Sequence, residues 1–235
     1  MEELYTTWKA IGVAGGDLSF FQDFFVKFYQ AFIEGDRWLQ YLNGVKTTLL
    51  VTALALILGI VLGVLVAMLR TAHDQQRPGH RNPILAVLNL ICKVYVTVIR
   101  GTPMMVQLLI MGFVIFASSR NFTMIGTLTL GINSGAYVSE IVRGGLMSVD
   151  KGQMEAGRSL GLNYMTTMRF IVIPQAVKAI LPALGNEFII LLKDTSLITV
   201  IGGKELLYAA QGIYNRTYEQ MFPLIGTAAL YLVLV

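Results

Sequence analysis

From Thr47 to Leu69 the chain runs for 23 residues without an ionisable side chain. As an α-helix that run reaches about 35 Å, enough to cross a hydrocarbon core of about 30 Å with some tilt. Lys46 and Arg70 flank it, each able to reach an interface. It begins too far into the chain, is too long, and follows too acidic a region to be a cleavable signal. Inside it, Gly59 and Gly63 form a GxxxG pair, a spacing that lets a second helix approach closely but is common in membrane helices. The rest of the composition agrees. Only 14% of residues are charged, against about 25% in soluble domains, and the mean hydropathy is +0.64. That balance excludes a disordered chain and a disulfide-stapled secreted module. The net charge of +4 is scattered between apolar runs and makes no nucleic-acid footprint. Cys92 stands alone, so the chain makes no internal disulfide and no all-cysteine metal site; a packed apolar thiol in a helix is the expectation.

Four more apolar runs follow: Gly101–Ser119, Asn121–Ser139, Phe170–Leu192 and Met221–Val235. Ser118–Thr123 reads as a short loop between antiparallel spans. Pro174 and Pro182 predict a bent or broken fourth span. The last run is short for a full span, so either the sequence is truncated or that helix is unusually short. Orientation follows the basic residues. Arg70, Arg77, Arg81, Lys93 and Arg100, against Asp74, mark one cytoplasmic loop; Arg143, Lys151, Arg158 and Arg169, against Asp150 and Glu155, mark another. Residues 1–45 are acidic by contrast. The expectation is an all-α integral membrane protein with about five transmembrane helices, N-terminus out and C-terminus in. Residues 1–42 form an extracytoplasmic region and 43–235 the membrane domain. Phe20, Phe21, Phe24, Phe25, Phe28, Tyr29 and Phe32 recur at helical spacing, which fits an amphipathic helix on the outer interface or a face packed on the bundle.

The connection from about 144 to 175 is long for a loop of a small membrane protein. Asp150 can cap a helix there, Glu155 falls in its first turn, Ala156 and Leu160 share a face, and Gly161 is a natural stop. A helix this short is marginal alone and needs a surface to dock on, either its own bundle or another subunit. His73 and His80 lie near Arg77 and Pro78 without a ligand cluster and read as solvated loop residues, not metal ligands. Arg100-Gly-Thr-Pro103 reads as a helix break at the cytoplasmic interface. Polar residues within or beside the spans are Gln107, Asn133, Ser134, Glu140, Asn186, Glu187, Lys193, Asp194, Thr195 and Ser196. They either bond between helices or line a path for a zwitterionic solute; for Lys193 and Asp194, anchoring at the outer interface is a further reading.

Glu155-Ala-Gly-Arg-Ser-Leu-Gly161, followed by Ile173-Pro-Gln-Ala176, resembles the EAA loop of ATP-binding cassette importer permeases. Arg100-Gly-Thr-Pro103 with Val106-Gln107 resembles the RGTP-LLVQ element of polar amino-acid permeases. Gly135-Ala-Tyr137, Glu140, Arg143-Gly-Gly145, Asn186-Glu-Phe-Ile189 and Lys193-Asp-Thr-Ser-Leu197 complete the pattern, in order, from about Asn43 to Leu230. The resemblance implies that Glu155, Ala156, Gly157, Arg158, Ser159, Leu160 and Gly161 form a cytoplasmic coupling helix seated in a groove of an ATPase subunit. Gly157 departs from the family, which more often has alanine there. The implied partners are that ATPase, a second permease copy or paralogue, an extracytoplasmic solute-binding protein and membrane lipid. The implied cargo is a polar amino acid and the implied location a bacterial cytoplasmic membrane. The chain has no GxxxxGK[ST] loop, so ATP and Mg belong to the partner and the chain is not an enzyme. An ion-gradient-driven secondary transporter is the alternative, although no internal repeat supports it. A membrane-embedded enzyme lacks a paired constellation at membrane depth.

Overall fold

The computed structural model describes residues 1–76 and 82–235, so Arg77, Pro78, His80 and Arg81 lie outside the described residues. The described residues form α1 (Glu2–Val13), α2 (Phe20–Phe32), α3 (Arg37–Asp74), α4 (Pro83–Gly101) and α5 (Met104–Ile110), which continues through a π-helical turn, Met111–Ile115. Then come α6 (Phe122–Met147), α7 (Lys151–Ser159) and α8 (Tyr164–Thr167), a second π-helical turn at Met168–Val172, and α9 (Ile173–Asp194), extended by a 3-10 turn, Thr195–Ile201. α10 (Leu206–Thr217) and α11 (Met221–Leu234) complete the chain.

The axis of the bundle is the pair α3 and α6, which run side by side in the same direction. Glycines set their distance. A Cβ added at Gly63 would stand 2.6 Å from Val138 Cβ and 2.9 Å from the backbone nitrogen of Ser139; one at Gly59 would stand 2.8 Å from Ser134 Cβ. α6 answers with Gly131 and Gly135 against Leu58 and Leu62. The GxxxG pair is therefore a contact between backbones. α6, 26 residues long, is enclosed by its neighbours and carries more polar residues than a lipid-facing helix would. Three other helical stretches, Glu34–Asp74, Pro83–Gly101 and Tyr164–Ile201, are long and apolar enough to cross a membrane, and Met104–Ile115 and Met221–Leu234 are shorter apolar helices.

Three expectations are corrected here. The described residues of 70–100 are mostly helical, not a loop: α3 continues to Asp74, and α4 is a helix of 19 residues. Lys93 and Arg100 broke the uncharged run, but at i and i+7 they share one helical face and leave the rest of the circumference apolar. Nor is the Arg100–Pro103 break at an interface. Asn89, early in α4, meets His73 near the end of α3, whereas Gly112, after α5, packs on Ile201 at the opposite end of the bundle. α4 and α5 are thus two halves of one pass, interrupted midway. With α3, α6, α9 and α11 this makes five passes. The bend expected from Pro182 also does not interrupt α9; the irregular turn lies before it, at Met168–Val172.

At the far end, α1 and α2 form a hairpin in which Tyr5 stacks on Tyr29 at 4.4 Å and Trp8 meets Phe25 edge-on at 5.4 Å. Phe24 and Phe28 reach Phe222 of α11, while Phe20 and Phe21 stay 87% and 71% exposed. One face of this aromatic helix therefore packs on the bundle, and Phe20 and Phe21 lie off that face.

The glycine contacts yield a test. Gly63→Leu drives side-chain atoms into the α6 backbone and should destabilise the purified protein by more than the about 1–3 kcal/mol of ordinary overpacking. Gly212→Ala, whose Cβ meets nothing within 4 Å, should be neutral or stabilising by up to about 1 kcal/mol. Thermal unfolding in detergent, run on both variants, compares them directly.

Candidate functional site

Two places gather the sequence-marked residues. The first is the connection after α6. Asp150 caps α7 by accepting from the Gly152 amide at 2.6 Å. The helix ends in a paired closure: Leu162 N–H donates to Gly157 O at 3.1 Å and Gly161 N–H to Arg158 O at 3.0 Å. That motif puts Gly161 at φ +83°, which only glycine adopts without strain. Gly157 is the one buried residue of α7. A Cβ there would stand 2.5 Å from Thr167 Cγ2, so the departure from alanine has a local cause: Thr167 occupies the space. The opposite face is bare. Glu155, Ala156, Arg158, Ser159 and Leu160 are all exposed, Leu160 at 81%.

Between α7 and the ends of α3 and α6 lies an open cleft of about 970 Å³, lined in part by Asp74, Arg143, Lys151, Glu155, Arg158 and Tyr164. Arg143 bonds Asp74 at 2.8 Å, and the Tyr164 hydroxyl donates to Gln75 at 2.6 Å. Arg70 pairs with Glu140. The end of α3 is therefore tied both to α6 and to the chain leaving α7. His73 is not a solvated loop residue; it lies in α3 with its ring 3.1 Å from the Asn89 amide.

The second place is the middle of the bundle. Pro103 has no N–H to give to the Ile99 carbonyl, and the break frees the Thr102 carbonyl as well. The Gln107 amide donates to both, at 2.7 and 3.1 Å, and its oxygen accepts from Asn133 of α6 at 3.0 Å. The buried Glu187 accepts from Ser134 at 2.7 Å. Thr195 and Ser196 hydroxyls bond back to their own helix, at Leu192 O and Lys193 O, each 2.7 Å. Asn186 and Lys193 are exposed on α9, and Asp194 is half-buried. Lys193 stands six residues, about 9 Å, beyond Glu187, short of the far end where Gly202 approaches Phe122.

Two residues were not singled out as site candidates from sequence. Arg100 lies at the break, its guanidinium 5.2 Å from the Tyr137 ring centroid. Glu205, 2% exposed, caps α10 through Tyr208 N at 2.7 Å and accepts from the hydroxyls of Thr199 and Tyr231 at 2.5 and 2.6 Å. It joins the end of α9, α10 and α11. Its signal was a carboxylate just before the apolar run Leu206-Leu207, an N-cap position.

Two tests follow. Gly157→Ala should destabilise the α7 docking by about 1–3 kcal/mol, and adding Thr167→Ser should recover most of it, as a double-mutant cycle on thermal stability measures. Gln107→Leu strands two carbonyls and the Asn133 amide, and should cost about 1–3 kcal/mol for each buried group left unpaired, read as a lowered detergent Tm.

A family model described as binding-protein-dependent transport system inner membrane component matches residues 84–235. A Rickettsia typhi protein, assigned by name to a glutamine transport system as its permease, is 35% identical over 90% of this chain and 91% of its own. The glutamine transport system permease protein of Escherichia coli K12 is 39% identical over 63% of this chain and 69% of its own. Among solved structures, an amino acid ABC transporter crystallised with histidines has 40% identity and a TM-score of 0.73, covering 83% of this chain and 87% of that one. An inward-facing methionine ABC transporter, at 21% identity and a TM-score of 0.68, covers 86% and 93% and shares the fold.

Proposed function

Because this chain belongs to the binding-protein-dependent transport system inner membrane components, we propose that it carries an amino acid of the glutamine kind inward across a bacterial cytoplasmic membrane. It is a membrane protein and a permease subunit of an ATP-binding cassette amino-acid importer, a subunit that is not itself an enzyme. Membership implies an ATPase partner, and it replaces the gradient-driven alternative. On our reading ATP and Mg are bound and hydrolysed in that partner. A second permease, identical or paralogous, completes the pore, and an extracytoplasmic solute-binding protein delivers the amino acid at the end where residues 1–42 lie.

The observation that carries this reading is the bare face of α7. Ala156 and Leu160 are held exposed by a capped, properly terminated helix that is pinned at Gly157, with Glu155 at the edge of the cleft. An apolar stripe so presented, on a helix too short to stand alone, suits a groove on another subunit. Motion of that subunit reaches the passes through Tyr164–Gln75 and Arg143–Asp74. The polar layer formed by Gln107, Asn133, Asn186, Glu187 and Lys193 supplies partners for a solute that must shed water from both of its charges. Glu140, paired with Arg70, and Asp194, Thr195 and Ser196, at the end of α9, flank that layer in sequence.

Glu155→Lys and Gly161→Asp should each lower glutamine uptake into vesicles holding the complete transporter by about tenfold or more, while ATP hydrolysis and membrane insertion persist. Normal uptake by either variant would show that α7 is not the coupling element.

A further inference from the structure

Arg100 is exposed and stands close to mid-depth. Asn133, level with the middle of α3 through the Ser134–Gly59 contact, bonds Gln107, and the Arg100 guanidinium lies against Tyr137, one turn from Asn133 along α6. One turn is about 6 Å. An arginine does not lose its proton to escape such a place. A permanent charge at that depth is tolerated where it faces water or a partner, not lipid. Lys193 presents the same problem about 9 Å to the other side of the Glu187 level. Among the described residues neither cation forms an ion pair. On α9, Asn186 is exposed like Lys193 and carries an uncharged amide.

The site is also built. Position 100 is the last turn of α4, where the negative end of the helix dipole favours a cation. The break that ends α4 there is held open by Gln107, whose amide replaces the hydrogen bond that Pro103 cannot make, and is fastened to α6 through Asn133. The Tyr137 ring supports one face of the guanidinium and leaves its fork of donors available. A planar fork of this kind matches a carboxylate with two parallel hydrogen bonds.

We propose that Arg100 receives the α-carboxylate of the amino acid midway through its passage, after Lys193 has held it nearer the outer end, with Gln107 and Asn133 as positioning residues for the arginine. This inference rests on the amino-acid importer reading above and names the group on this chain that recognises the cargo's common part, as opposed to its side chain.

The test uses the complete transporter with its ATPase and binding protein, reconstituted in vesicles, and labelled L-glutamine as probe. Arg100→Gln should lower uptake between about ten- and a hundredfold, the loss of one charge-assisted contact, with ATP hydrolysis without substrate and subunit stoichiometry unchanged. Arg100→Lys, which keeps the charge and loses the fork, should fall between the two. Lys193→Gln should raise the KM for uptake and leave Arg100→Lys no better. Uptake by Arg100→Gln within threefold of the parent overturns the proposal. So does loss of the second permease or the ATPase from both Arg100 variants on purification, which would make Arg100 an assembly residue paired across an interface. If the parent transporter itself moves no glutamine or other amino acid, it is the importer reading that fails.

Discussion

The close approach of α3 to α6 sets the geometry on which everything else rests. Hydrocarbon gives helices no hydrophobic reason to associate, so packing and interhelical hydrogen bonds must hold them. Glycines at 59 and 63 on one helix and at 131 and 135 on the other remove the side chains that would keep the backbones apart. The neighbouring surfaces then interlock at short range. Ser134 is brought to Glu187, Tyr95 reaches the Ile132 carbonyl at 2.5 Å, and Gly145 accepts Ile180 of α9. All three of these contacts are made by α6, with α4 or with α9, so the helix that α3 grips through its glycines is also the one that holds the other passes.

The second pass shows how a polar element is tolerated at depth. Proline at 103 costs the helix a donor, and a broken helix in hydrocarbon leaves carbonyls that water cannot reach. Gln107 settles both: one side chain satisfies the carbonyls of Ile99 and Thr102 and passes its own oxygen to Asn133. The break is therefore a satisfied feature, with the exposed charge of Arg100 beside it. At the α7 end the polar chemistry is of another kind. Asp74, Arg143, Arg70 and Glu140 fasten the ends of α3 and α6 together, beside the short helix α7.

Much of this was legible in the residues. Runs without charge locate membrane passes because the cost of burying an ionised group is large and shared by every bilayer protein. Asp150, Ala156, Leu160 and Gly161 spell a short helix with a cap, a stripe and a stop, since those rules are local, although Glu155, expected in its first turn, stands in the second because the helix starts at Lys151. The failures came where spacing along the chain misrepresents spacing in the bundle. Lys93 and Arg100 looked like loop charges because a linear run counts interruptions and does not see that positions seven apart share a face. His73 looked solvated for want of any local sign that Asn89 would lie beside it.

Composition and local chemistry were enough to establish a helical membrane protein, the number and direction of its passes, and the capped helix in its longest connection. These follow from the solvent and from hydrogen bonds made within a few residues. Three-dimensional packing decided the rest: that Gly157 must be glycine because Thr167 fills its space, that Glu205 joins three elements, and that the Arg100–Pro103 break lies in mid-bundle. Each of those depends on residues distant in sequence being brought within a few ångströms, and no periodicity within a single segment encodes which partner it will meet.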